Sequence, residues 1–317
     1  RFRYVLDFSG FTQLDKLNLS DLELQCNGVG SAIMLPPAGN NFHVRDCYVT
    51  RPKDRGITSI GRGCQDLHVD RCQFLSNEQS LRAQDRLSIA LNVNANDAKL
   101  RDNRIVRFRH FAVMAGSSHL VVGNHSETLG VRLAGLVLTE TNVNTTITGN
   151  YIDNNFIEWT NEYEADPDFG IQHSFGGLTI TGNVFMATDV APWFRWIVIK
   201  PYGTGHFVDG LTISNNVFKS INGSVDRVET VDTSFAGFDY LRMKNIWVEG
   251  NMFTAVTQAT ANPVVVQHSQ ATAAAVWTIT PGAFLPFGGW SRNVEAVVAG
   301  GAITNAAGQR QSDMPYA

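Results

Sequence analysis

The chain has 317 residues, with 25 Lys and Arg against 29 Asp and Glu, and this net charge of −4 offers no basic field for nucleic acid. Charged residues make up only 17% of the chain while Gly reaches 28 residues, a balance that suits a turn-rich β protein. No apolar run approaches membrane-spanning length, so no membrane insertion is expected.

From the N-terminus, the first predicted strand is Tyr4-Val-Leu-Asp-Phe8, followed by a degenerate unit, Leu19-Ser-Asp-Leu22-Glu-Leu24. One phrase then recurs: an apolar residue, two fillers, an Asn or Cys, one filler and a second apolar residue. It reads Val44-Arg-Asp-Cys47-Tyr-Val49, Val69-Asp-Arg-Cys72-Gln-Phe74, Leu100-Arg-Asp-Asn103-Arg-Ile105 and Val121-Val-Gly-Asn124. It continues as Ile147-Thr-Gly-Asn150-Tyr-Ile152, Ile180-Thr-Gly-Asn183-Val-Phe185, Ile213-Ser-Asn-Asn216-Val-Phe218 and Val248-Glu-Gly-Asn251-Met-Phe253. The Asn or Cys positions fall 21 to 35 residues apart, the period of solenoids whose units bury their apolar faces against one another. Within the phrase, apolar residues alternate, as in Leu178-Thr-Ile180 and Leu211-Thr-Ile213, which is the period of strands. The Thr-Gly-Asn that follows turns the chain, because Gly supplies positive φ and Asn tolerates it. An all-β parallel β-helix of about nine rungs is predicted over residues 1–254, roughly 40 Å long at strand spacing.

Stacking predicts the columns. Outward residues read His43, His68, Lys99, Leu120, Thr146, Thr179, Thr212 and Trp247. Arg45-Asp46, Asp70-Arg71 and Arg101-Asp102 form a checkerboard of opposite charges. Val49, Phe74, Ile105, Ile152, Phe185, Phe218 and Phe253 form an inward apolar column. The Asn column is read as a structural ladder of side-chain amides. Residues 255–317 leave the phrase and become rich in Ala, Thr and Gly, with apolar segments at 264–266, 275–279 and 294–298. They are predicted to form a small C-terminal β cap or sandwich, serving also as an oligomerisation region.

Rungs lengthen after Asn150, and long loops on a rigid scaffold are where function concentrates. The first insert holds the densest polar cluster, from Glu158 to Phe169. Two carboxylates flanking a glycosidic bond can serve as acid and as base or nucleophile, and aromatic faces stack on sugars. Glu158, Glu162 and Asp189 are the candidate catalytic acids, and in a lyase Arg195, Lys200, Tyr202 or His173 would be the base. Trp159, Tyr163, His173, Trp193, Lys200 and Tyr202 are the candidate carbohydrate contacts. A solvated loop is the plain alternative for the acidic run. Cys26, Cys47, Cys64 and Cys72 lack zinc spacing, and His110, His119 and His125 lack ligand spacing. No phosphate loop or dinucleotide fingerprint occurs, so neither a metal nor a cofactor is expected.

The repeat, with Ile147-Thr-Gly-Asn150, Ile180-Thr-Gly-Asn183 and Val248-Glu-Gly-Asn251, resembles the right-handed β-helix proteins of the pectate-lyase-like superfamily over about residues 4–254. That resemblance implies a polysaccharide ligand. The signatures of polygalacturonases and of calcium-dependent pectate lyases are missing. A β-helix followed by an Ala- and Gly-rich β segment looks more like the tailspike or head-spike proteins of phages and phage-like particles. This implies a homotrimer at an extracellular or virion surface that binds a bacterial polysaccharide, with or without cleaving it. The alternatives are a secreted, monomeric polysaccharide lyase or glycoside hydrolase, and a non-catalytic structural or adhesive β-helix.

Overall fold

The computed structural model describes residues 3–59, 63–76, 88–94, 96–127, 133–139, 143–161, 172–188 and 190–311. Three parallel sheets of nine strands are built from Tyr4 to Thr254, each rung giving one strand to each sheet. The first sheet runs from Tyr4–Asp7 to Glu229–Val231, the second from Leu17–Ser20 to Lys244–Glu249, and the third from Glu23–Gln25 to Met252–Thr254. The protein is a right-handed parallel β-helix of nine rungs. No helix of the described residues is long and apolar enough to cross a membrane.

The predicted register holds. His43, His68, Lys99, Leu120, Thr146, Thr179, Thr212 and Trp247 are successive partners along the second sheet. The inward column of the third sheet includes Ser126 between Ile105 and Ile152, a polar residue that the apolar pattern had skipped. Asn155 Nδ2 donates to its hydroxyl at 3.2 Å, which satisfies it inside the core. Farther along, Phe185, Phe218 and Phe253 stack with centroids 4.8 and 5.9 Å apart.

Each passage from the second to the third sheet uses one left-handed residue. These are Asp21, Asp46, Arg71, Asp102, Gly123, Gly149, Gly182, Asn215 and Gly250, with φ between 51° and 68°. The conformation suits Gly and the short polar residues, and so accounts for most of the repeat's turn chemistry. Arg71, the odd member, is tied across the rungs to Asp46 by two bonds of 2.7 and 2.8 Å. Arg101 holds Asp70 in the same way at 2.7 Å, completing the checkerboard.

The residue after each turn points inward. Asn103, Asn124, Asn150, Asn183, Asn216 and Asn251 form an unbroken ladder of Nδ2–Oδ1 hydrogen bonds of 2.9–3.0 Å. Each amide also donates to a carbonyl one rung back, such as Val121 O for Asn150. Cys72 sits in this column, and its Sγ faces the equivalent carbonyl, Val44 O, at 3.5 Å. All four cysteines are buried and free.

After Thr254 the described residues contain no further strand, only isolated bridges and two short 3₁₀ turns, Gly282–Phe284 and Pro286–Gly288. The apolar segments predicted as strands find no ladder partner and lie exposed, Val265 at 93% and Val298 at 85%. What covers the open end is a short strap. Leu285 and Phe287 are buried against the last rung, held by a carboxylate in a column that is otherwise apolar. That column runs Leu136, Ile157, Ile197 and then Glu229, which is fully buried. Thr260 Oγ1 donates to Glu229 Oε2 at 2.8 Å, and Phe287 N donates to Oε1 at 3.1 Å. Arg227 lies 4.0 Å from Oε1.

Burial pushes the Glu229 carboxyl up from its ordinary 4.5 to about 7, outweighing the opposing hydrogen bonds. Between those values the folded chain binds the extra proton. Its stabilisation is complete below 4.5 and lost as pH rises through 7, on the order of 3 kcal/mol. Glu229→Gln keeps an acceptor for Phe287 N, offers an N–H that the Thr260 hydroxyl can accept, and removes the titration. Melts from pH 4 to 8 are expected to show the variant gaining stability relative to the parent as pH rises. A constant difference would mean that this carboxyl does not titrate in that range.

Candidate functional site

The residues expected from the sequence separate in space. Glu158 takes the outward column of the first sheet, half-buried between Val137 and Val198. Its neighbour Trp159 points the other way into the core, 2% exposed and edge-on to Phe175 at 5.4 Å. That ring presents no face to a sugar, contrary to expectation. His173 is likewise enclosed, beside Phe175 and His206. Glu162, Tyr163 and Asp189 lie outside the described residues.

Two groups of expected residues stay accessible at opposite edges of the first sheet. At the edge leading to the second sheet, Tyr202 stacks on Phe235 at 4.4 Å and 20°. Lys200 Nζ stands 5.4 and 4.8 Å from these two ring centres. At the edge entered from the third sheet, Trp193 is 59% exposed while Trp196 is buried. Arg195 between them donates to Asp226 Oδ2 at 3.1 Å and to the carbonyls of Pro192 and Phe194. A guanidinium so occupied, with donors only, is a structural clamp rather than a base.

Sequence reasoning missed the outer face of the third sheet. One outward column there reads Tyr48, Gln73, Arg104, His125 and Tyr151. The column two residues on reads Thr50, Leu75, Val106, Glu127 and Asp153. Glu127 and Asp153 are direct register partners on adjacent rungs, one strand spacing of about 4.8 Å apart at the backbone. Beside them His125 stacks on Tyr151 at 4.7 Å, and the Tyr151 hydroxyl reaches Met186 Sδ at 3.3 Å. A cavity of about 340 Å³ opens on the same face, lined by Tyr48, Gln73, Leu75, Arg104, Arg107 and Glu127 among others.

The two acids differ in environment. Asp153 Oδ1 is enclosed without a hydrogen-bond partner. Burial first, and then the charge of Glu127, push the Asp153 carboxyl up to about 6. Burial and the same two charges also raise the Tyr151 phenol. Glu127 has the Arg104 guanidinium 4.0 Å away. One carboxyl that keeps its proton to near pH 6 beside a second one next to a cation is the division of labour that acid–base cleavage requires. Their only sequence signal is parity: both fall one residue after an inward position of the third strand, Ser126 and Ile152, on successive rungs.

No known family model matches the chain, and no curated protein matches it. Among solved structures, its fold is similar to the tailspike protein of E. coli bacteriophage HK620. A double mutant of that tailspike, in complex with pentasaccharide, aligns with a TM-score of 0.55 and 14% identity, over 81% of this chain and 45% of that one. A second structure of the tailspike with pentasaccharide aligns with a TM-score of 0.53 and 14% identity, over 76% and 43%. The chain thus spans less than half the length of these tailspikes, and the likeness is one of fold.

Proposed function

We propose that this chain is the shaft of a surface spike that binds a bacterial polysaccharide along the outer face of its third sheet and cleaves it with Asp153 and Glu127. The observation that carries this reading is the adjacent-rung carboxylate pair, with Asp153 held protonated to about pH 6 beside an open groove. Asp153 would protonate the glycosidic oxygen as the bond breaks. Glu127 would serve as base or nucleophile at the sugar carbon. A tailspike fold bound to an oligosaccharide supports the ligand class. The exposed platform of Tyr202 and Phe235 under Lys200 offers a second contact for a long polymer.

Residues 255–317 are read as the cover of the helix end and the oligomerisation region. Trp290 at 68% exposed, with Val265 and Val298, supplies apolar side chains that packing between copies would bury. Two further copies of the chain would bury it, on a virion or virion-like particle. Mass in solution tests this part, and a monomer at micromolar concentration counts against it.

Capsular, pectic and alginate-type polymers incubated with the protein test the activity. New reducing ends without ultraviolet-absorbing unsaturation are expected. Unsaturated ends would make the enzyme a lyase, and binding without either product would leave an adhesin. If no polymer binds, the glycan reading fails.

A further inference from the structure

We infer that the subsite beside Glu127 takes a carboxylate-bearing sugar, so that the polymer recognised is an acidic polysaccharide. The inference rests on the glycan-binding reading above and adds the chemistry of the ligand. The cavity of about 340 Å³ is the size of a small-ligand site. Two of its walls are the arginines 104 and 107, and Glu127 is the one acid among its lining residues.

The state of Arg104 sets it apart from the chain's other rung-bridging arginines. Arg71 and Arg101, on the second-sheet side, each hold an aspartate in a bidentate pair of bonds of 2.7–2.8 Å. The Arg104 guanidinium makes no hydrogen bond to any described residue, only its backbone N–H donating, to Cys72 O at 2.9 Å. Its one charge contact is Glu127 at 4.0 Å, beyond hydrogen-bond length, and its side chain is 58% exposed. An exposed ion pair at that distance holds the guanidinium weakly. Arg104 therefore keeps its fork of donors for a ligand, and a planar carboxylate matches that fork in two parallel bonds. Around it the Gln73 amide can both donate and accept, and the half-exposed Tyr48 ring supplies a flat apolar face.

Position supports the assignment. Along the helix axis a glycan would pass Asp153, then Glu127 and then Arg104, each on the next rung. The anionic sugar would thus sit next to the cleavage point, where it fixes the register of the polymer. Its carboxylate would also compete with Glu127 for Arg104, coupling occupancy of the subsite to the second catalytic acid.

The test uses oligosaccharides of galacturonate, of mannuronate and guluronate, of glucuronate-containing repeats and of N-acetylneuraminate, each with its carboxyl-reduced counterpart, and neutral dextran and O-antigen fragments. Binding is read by calorimetry at low and high salt. At least one acidic series is expected to bind, with carboxyl reduction weakening it on the order of 10- to 100-fold. Arg104→Gln should cause a similar loss for the acidic form and little change for the reduced one, with its melting point unchanged. Equal affinity for acidic and reduced forms, or binding to neutral glycans alone, overturns the inference and leaves the glycan-binding reading intact. Binding to none of the series overturns both.

Discussion

Asp153→Asn is expected to lower polymer turnover by about 100- to 10,000-fold while leaving polymer binding in place. An amide keeps the size of the side chain and its position beside Glu127, but has no proton of suitable acidity for a leaving oxygen. The same substitution should not harm the fold. Burial raises the carboxyl to about 6, so above that pH the charged form opposes folding and its removal is neutral or stabilising. The pH profile separates this role from a merely structural one. In the parent, the limb of activity that falls with rising pH should lie near 6. Glu127→Gln takes away a charge that raises Asp153, so it should shift the Asp153 titration toward lower pH, readable by NMR even where turnover is lost. Full turnover in Asp153→Asn would remove the acid pair from the mechanism.

The scaffold was legible because stacking gives every rung the same problem to solve. A left-handed turn residue, an inward amide and an inward apolar residue recur at fixed offsets, and the columns from His43 to Trp247 follow by counting. Parity also decides Glu158 and Trp159, which are neighbours in sequence and face opposite ways. The site was not legible by the same means. Density of acids along the chain drew attention to residues 158–168, yet function on a β-helix depends on adjacency across rungs. Glu127 and Asp153 look like ordinary surface acids until their register is known, and burial, then the charge of Glu127, raises Asp153. The tail's strands were not legible for a related reason. Its β-branched and aromatic residues suit strands, but a strand needs a partner, and the described chain offers none there.

The largest loss of stability is expected from Asn150→Ala, at about 3–4 kcal/mol. Asn150 is buried in the middle of the amide ladder and serves both directions at once. Its Nδ2 donates to Asn183 Oδ1 at 2.9 Å and to Val121 O at 2.9 Å. Its Oδ1 accepts from Asn124 N and Asn124 Nδ2, both at 2.9 Å. Truncation leaves the Asn124 backbone N–H without its acceptor inside the core, where the full desolvation penalty applies. It also opens a hole that the parallel ladders on either side resist closing. Asn251 provides the internal control. It ends the ladder on the last rung, donating to Ile213 O and accepting from Asn216, with no amide beyond it. Asn251→Ala should therefore cost about half as much, because it cuts the ladder at an end and lies only partly buried. Urea unfolding of the two variants against the parent measures the order. Equal losses, or a cost below about 1 kcal/mol for Asn150→Ala, would show that the amides act as separate side chains and that the apolar column alone holds the rungs in register.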